Sequence, residues 1–359
     1  MSETKTCLRG RLTWRAVAIL LSLTPLLLLP CVRPAMAQED WPPSATVQHG
    51  VLSAEQIRRI ESDGAIAYIV LQEGGLVAEF YFGRGAQFRT EPAYGVAASV
   101  TALLLGSAIG EGRIAGLDDR AARYLPALTT DARDRITLRH LAVNGSGLAW
   151  QEVRDLPRVL NGGVNLTRYM EAFRLDAEPG SRWRASSGDD FLLGMAIERV
   201  LGKSLASYAS SRLWLPMGLT AAGRAPAWAM DAEGRTTLAA CCLHMRPRDF
   251  ARLGQLVLQL GRWNGKQLVP QRFVEEATSA QVRFEAPPGA TLFDGYGLGF
   301  WHFTYAGFPG AAMLGDQGQV VFIVPALSLV IVRLGVRGDA PGLAFALQAG
   351  MSIAAPPTK

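Results

Sequence analysis

The sequence predicts an α+β domain: an antiparallel sheet flanked by helices, with an α-rich lobe inserted within it. Three observations carry this. Near the start, residues 65–71 and 76–82 are strand-like runs separated by Gln72-Glu73-Gly74-Gly75, a hairpin signal. From about residue 156 to 260 the apolar residues recur at mostly helical spacing. Residues 297–303, 319–324 and 329–334 then return to strand length and β-branched or aromatic content.

The 359 residues suffice for one large two-lobed domain, and 49% hydrophobic with 19% charged residues excludes a disordered chain. The net charge of +5 is misleading, because five basic residues and one acidic residue lie in residues 1–37. The remainder is near neutral and has no electrostatic footprint for nucleic acid. Those first residues read as an export signal, with a basic stretch to Arg15, an apolar core over 16–30, and Ala35-Met36-Ala37 before Gln38. Cleavage is expected after Ala37, giving a periplasmic or secreted protein; the alternative is an uncleaved anchor. No other segment is expected to cross a membrane.

In chain order, residues 54–63 form an amphipathic helix ahead of the hairpin. Residues 94–126, YGVAASVTALLLGSAIGEGRIAGLDDRAARYLP, are a buried helix opening at Gly95, then a tight connection through Gly112 and Gly116. Residues 136–143 are helical, and Asn144-Gly145-Ser146-Gly147-Leu148 is the turn after them. Another helix follows Ala185-Ser186-Ser187, where Ser187 with Asp190 three residues on is compatible with a cap. Residues 343–354 close the chain as a helix packed on the sheet.

Only Cys241 and Cys242 lie beyond the leader, which holds Cys7 and Cys31. An eight-membered ring strains the peptide between neighbouring cysteines, so both are expected as unbridged, buried, small apolar residues. His49, His140, His244 and His302 show no metal-ligand spacing, and no metal or cofactor is expected. His140 reads as a packed helix histidine.

Several of these segments together resemble the serine β-lactamase-like hydrolases, which include class C β-lactamases, penicillin-binding proteins, related esterases and 6-aminohexanoate-dimer hydrolases. The matching pieces are the 94–126 stretch, ITLRHLAV with Asn144–Leu148, residues 250–272 ending LGRWNGKQLVPQR, and Gly315-Asp316-Gln317-Gly318-Gln319. The likeness is colinear over about residues 50–350. It implies a β-lactamase/transpeptidase-like fold within residues 38–359, with a sheet lobe of about 50–145 and 295–355. An α-rich lobe of about 156–260 stands opposite, and the active site lies in the cleft between.

Family members carry Ser-x-x-Lys at the opening of the central helix and a tyrosine before the helix that follows the turn. Serine attacks a carbonyl, lysine and tyrosine manage its proton, and two backbone N–H groups hold the oxyanion. Here the three positions are Gly95, Ala98 and Ala185. The lysines are Lys5, Lys203, Lys266 and Lys359; only Lys5, in the leader, has a serine three residues before it. No Ser-x-x-Lys therefore exists beyond the leader in any alignment. The fallback nucleophiles are Ser99 and Ser186.

A catalytically degenerate homologue, a pseudoenzyme retaining a ligand-binding cleft, is the expectation. Gly95, Ser146, Ser187, Asp316 and Gln319 are its candidate ligand-binding residues. Gly95 contributes an N–H at a helix opening, and the 315–319 edge another donor. Trp150, Trp183 and Trp301 are candidate walls, core packing being the commoner role for each. A small carboxylate or peptide-like molecule is the expected ligand. An ester or amide hydrolase using another serine, and a periplasmic interaction protein, are the alternatives.

Overall fold

The computed structural model describes residue 41 and residues 50–161, 163–220, 225–285 and 292–354. The leader, Cys7, Cys31 and His49 lie outside the described residues. Helix α1 (Ala54–Ser62) starts with a capping box between Ser53 and Gln56. Strands β1 (Ala65–Gln72) and β2 (Gly75–Tyr81) form the expected hairpin. Short β3 (Glu91–Pro92) leads into α2 (Val96–Gly110), which Gly95 caps. Residues 96–108 of α2 are all buried, so the helix is apolar on every side, as a core helix must be.

Helices α3 (Leu138–Ala142), α4 (Glu152–Asn161), α5 (Leu166–Glu171), α6 (Ser187–Leu201) and α7 (Leu205–Ala209) follow. The 156–260 region is not helical throughout. Strands β4 (Ala227–Trp228) and β5 (Leu243–Met245) interrupt it and pair with β3 in a three-stranded sheet before α8 (Pro247–Leu258). The small hairpin β6 (Arg262–Trp263) and β7 (Lys266–Gln267) precedes α9 (Gln271–Thr278). Then come β8 (Val282–Arg283), β9 (Gly295–Tyr296), β10 (Trp301–Tyr305), β11 (Phe308–Leu314), β12 (Val320–Val324), β13 (Leu329–Gly335) and α10 (Ala340–Ile353).

The main sheet is eight-stranded and antiparallel, in the order β2-β1-β13-β12-β11-β10-β9-β8. Its first and last segments in sequence are therefore neighbours, β1 lying against β13. The central strands are buried on both faces, which explains continuous apolar runs where an exposed sheet would alternate. Val321, Ile323, Val330 and Val332 face one core; Val320, Phe322, Leu329 and Ile331 face the other. Helix α8 covers the first face, and Gly254 lets it approach: a Cβ there would lie 2.5 Å from Val330 and 2.7 Å from Val321. Helices α1 and α10 cover the second.

Strand β11 escapes a sequence reading because Pro309 and Gly310 look like a turn. In the sheet Gly310 makes room for the ring of Phe303 on β10, which a Cβ would meet at 2.4 Å. Residues 297–300, expected as part of a strand, are instead the link between β9 and β10.

Cys241 and Cys242 form a disulfide, which overturns the unbridged reading. Cys242 takes the left-handed conformation at φ 64°. Long-range bonds hold the turn: the Trp228 indole N–H donates to the Cys241 and Leu238 carbonyls, and Ala229 N–H to Cys242 O. The β4–β5 pairing holds both ends of the segment that carries the bridge.

Candidate functional site

The helix opening is where the family's chemistry would begin. Gly95 has ordinary helical dihedrals, φ −59° and ψ −14°, so its backbone places no demand for glycine. Space does. A Cβ at position 95 would lie 2.8 Å from the Leu314 carbonyl oxygen and 3.5 Å from Gly315 Cα. Gly315 is equally tight, a Cβ there falling 2.5 Å from Ala93 O and 3.1 Å from Gly95 N. The end of β11 is seated directly on residues 93–95, where a nucleophile's side chain would start.

The Gly95 N–H donates to no acceptor among the described residues. The expected second donor is not free at Gly315, whose N–H is used within its own turn by Gln319 O at 2.8 Å. That turn is a 3-10 segment with Gln317 at φ 61°. Asp316 is exposed on it, whereas Gln319 is buried. Gln319 is 1% exposed and donates inward to Gly335 O at 3.1 Å.

The other family positions are equally bare. Ala98 is buried, and Ala185 is exposed at the point where the tyrosine would stand. Ser99 is buried at 1% exposure and donates its hydroxyl to Gly299 O at 2.5 Å. It faces the β9–β10 link, so its hydroxyl ties helix to sheet.

Around Ala185 lies a buried polar cluster. Ser186, not Ser187, caps α6: its hydroxyl accepts from Asp189 N–H and donates to Asp189 Oδ1, both at 3.1 Å. Ser146 is drawn into the same carboxylate, its hydroxyl donating to Asp189 Oδ1 at 2.6 Å and its N–H to Oδ2 at 3.0 Å. At 2% exposure it is an internal strut of the turn, which corrects its reading as a ligand residue. Ser187 donates through both N–H and hydroxyl to Glu152, a partner that no sequence spacing announces. Asn144 Nδ2 donates to Asp190 Oδ1 at 3.2 Å.

Burial pushes Asp189 up to about 6 despite the hydrogen bonds it accepts from Ser146 and Ser186. Burial and the adjacent Asp189 charge push Asp190 well above the carboxylate range. The Tyr296 hydroxyl is also raised, by burial and then by the charges of Asp190 and Asp189. Tyr296 belongs to an aromatic cluster with Trp183, Phe284, Phe293 and Trp301, whose contacting ring centroids lie 4.6–6.0 Å apart. Trp150 is core instead: it is 1% exposed and packed against Gly188. The void bounded by Asn144, Ser146, Ser186 and Asp189 is about 10 Å³, room for about one water.

His140 is a packed helix histidine, as expected, with Nδ1 accepting from Thr137 N–H in a cap and its pKa lowered by burial. Among the described residues no cluster of histidine, cysteine and carboxylate side chains is arranged to hold a metal. Nor is any described helix long and apolar enough to cross a membrane.

The arrangement matches known proteins in fold. The chain is similar to a structure named as a 6-aminohexanoate-dimer hydrolase from Bacillus anthracis: 22% identity, 87% of this chain and 86% of that one covered, TM-score 0.71. It is also similar to a penicillin binding protein from Bacillus halodurans: 15% identity, 83% and 99% covered, TM-score 0.66. A D-stereospecific amidohydrolase from Streptomyces sp. matches at 19% identity, 84% and 98% covered, TM-score 0.64. The beta-lactamase family model matches residues 64–345. With most of its length matched, and the sheet and helices in the order described, the chain belongs to the beta-lactamase family.

Proposed function

We propose that this protein is an exported, catalytically degenerate member of the family, a pseudoenzyme whose cleft binds a ligand without acylation. One observation carries the reading: the position of the family's nucleophile is glycine, and a side chain there would collide with the Leu314 carbonyl. Losing serine alone removes the attacking group; closing β11 onto the helix opening also removes its space. Ala98 and Ala185 remove the two groups that would manage its proton.

A peptide-like ligand is favoured over a free carboxylate. Asp316, exposed on the turn after β11, attracts N–H donors and repels an anion. The amide-acting names of two structural relatives support the same class. Incubation with a fluorophosphonate and with a β-lactam, followed by intact-mass measurement, tests the reading. No adduct is expected, and a stoichiometric adduct would overturn it.

One observation favours a second reading, a hydrolase using Ser186. Its hydroxyl donates to a carboxylate raised to about 6, a geometry that brings base to nucleophile. Against it, Asp189 is shared with Ser146, and the adjoining void admits no substrate. An adduct that disappears in Ser186→Ala would establish this reading in place of the first.

A further inference from the structure

A second cavity, of about 540 Å³, lies in the α-rich lobe at the far end of α6. The 15-residue helix spans about 20 Å, with Ser186 and Asp189 at its start and this cavity around its last turn. None of the residues forming the cleft cluster lines it. Its volume falls in the range of small-molecule sites, roughly 300–1,000 Å³.

The floor is apolar, built from Leu125, Met170, Leu192 and Met195, each buried. Two methionines give it a flexible surface that adapts to an unbranched chain. The rim carries Arg199, Lys203 and Arg235, all exposed. The Arg199 guanidinium makes no hydrogen bond or ion pair with any described residue. Lys203 Nζ rests 5.1 Å from the Tyr208 ring centroid, and the Arg235 guanidinium is ion-paired with Glu233 at 3.7 Å.

Two carboxylates also line the cavity. Glu198 is turned inward, accepting from Thr237 Oγ1 at 2.6 Å and Leu205 N–H at 2.8 Å. Burial raises its pKa, which further reduces its charge toward the cavity. Glu171, on α5, is exposed and is the unengaged acid of the lining, against the unpaired cations Arg199 and Lys203. Helix α6 ends at Gly202, so its last turn adds the partial negative charge of unpaired carbonyls, which Arg199 and Lys203 outweigh.

The geometry points to a binding site for a single-chain anionic amphiphile, with a carboxylate head on Arg199 and Lys203 and an alkyl chain over the Leu192–Met195 floor. A guanidinium whose fork is unengaged suits a carboxylate, which it can grip through two parallel bonds. An apolar floor alone would accept any hydrophobe; the rim selects the sign of the head group. This site shares no residue with the cleft, so its failure leaves the pseudoenzyme reading untouched.

Isothermal titration of the purified protein with dodecanoate, below its micelle-forming concentration, tests the site. Saturable binding at one equivalent is expected, with none for dodecyltrimethylammonium. The exposed double change Arg199→Glu/Lys203→Glu should weaken dodecanoate at least about fivefold with unchanged circular dichroism. Met195→Trp, which fills the floor, should also weaken it. Absence of saturable binding, equal binding of the cationic amphiphile, or a folded double variant with unaltered affinity would overturn the proposal.

Discussion

Replacing Gly95 with serine, which would rebuild the family's nucleophile, should destabilise the protein without conferring activity. The added Cβ meets Leu314 O at 2.8 Å, well inside van der Waals contact, and the opposing atom is backbone. Serine at a helix N-cap gains only a few tenths of a kcal/mol over glycine. Overpacking against atoms that cannot rotate away costs about 1–3 kcal/mol. The net loss is about 1–2 kcal/mol, lowering Tm by about 1.5–3 °C in a domain of this size. Urea and thermal unfolding of Gly95→Ser and Gly95→Ala measure it. Both should lose similar stability, because the clash lies at Cβ and not at the hydroxyl. The triple variant Gly95→Ser/Ala98→Lys/Ala185→Tyr should remain inert toward an activated ester. A Gly95→Ser protein as stable as the parent, or a triple variant showing burst acylation, would refute the closure of the helix opening.

Three further outcomes follow from the same contacts. Ser99→Ala should cost about 1 kcal/mol, read by urea unfolding, because it strands the Gly299 carbonyl in the core, and it should leave probe labelling unchanged. Stability should fall as pH rises from about 4 through about 6: a carboxyl raised in the folded state binds a proton that the unfolded chain has released. For Asp189, raised from 3.8 to about 6, this contribution is about 3 kcal/mol, present at the acid end and lost above the folded pKa. Asp190→Asn, which retains an acceptor for Asn144, should flatten that profile and raise Tm at pH 7.5; an unchanged profile would remove Asp190 as a source of it. Arg333→Met should cost about 3 kcal/mol by denaturant titration, since the buried guanidinium donates to the carbonyls of Gly318, Asp63 and Arg337.

Local chemistry was legible wherever it repeats along the chain. The hairpin β1–β2, the apolar α2 and the β12 and β13 runs are short-range patterns, and the structure places each within a residue or two of its expected position. Strand β11 was not, because Pro309 and Gly310 pair with Thr304 and Phe303 of β10, contacts that a local pattern does not contain. The cap of α6 shifted by one residue for a similar reason. Glu152, distant in sequence, takes the Ser187 hydroxyl, leaving Ser186 to bond the Asp189 N–H.

By itself the sequence determined which groups exist: no lysine stands three residues after a serine beyond the leader, and glycine and alanines occupy the family's catalytic positions. Covalent composition needs no fold to be read. The tertiary structure alone decided what the remaining groups face. Ser146 and Gln319 turned inward because each found a buried partner, in Asp189 and Gly335. Cys241 and Cys242 were joined in a turn whose ends β4 and β5 hold. Gly95 met a carbonyl from a strand that begins more than two hundred residues later. These are long-range encounters, set by how sheet and helices pack, and no spacing along the chain encodes their distances.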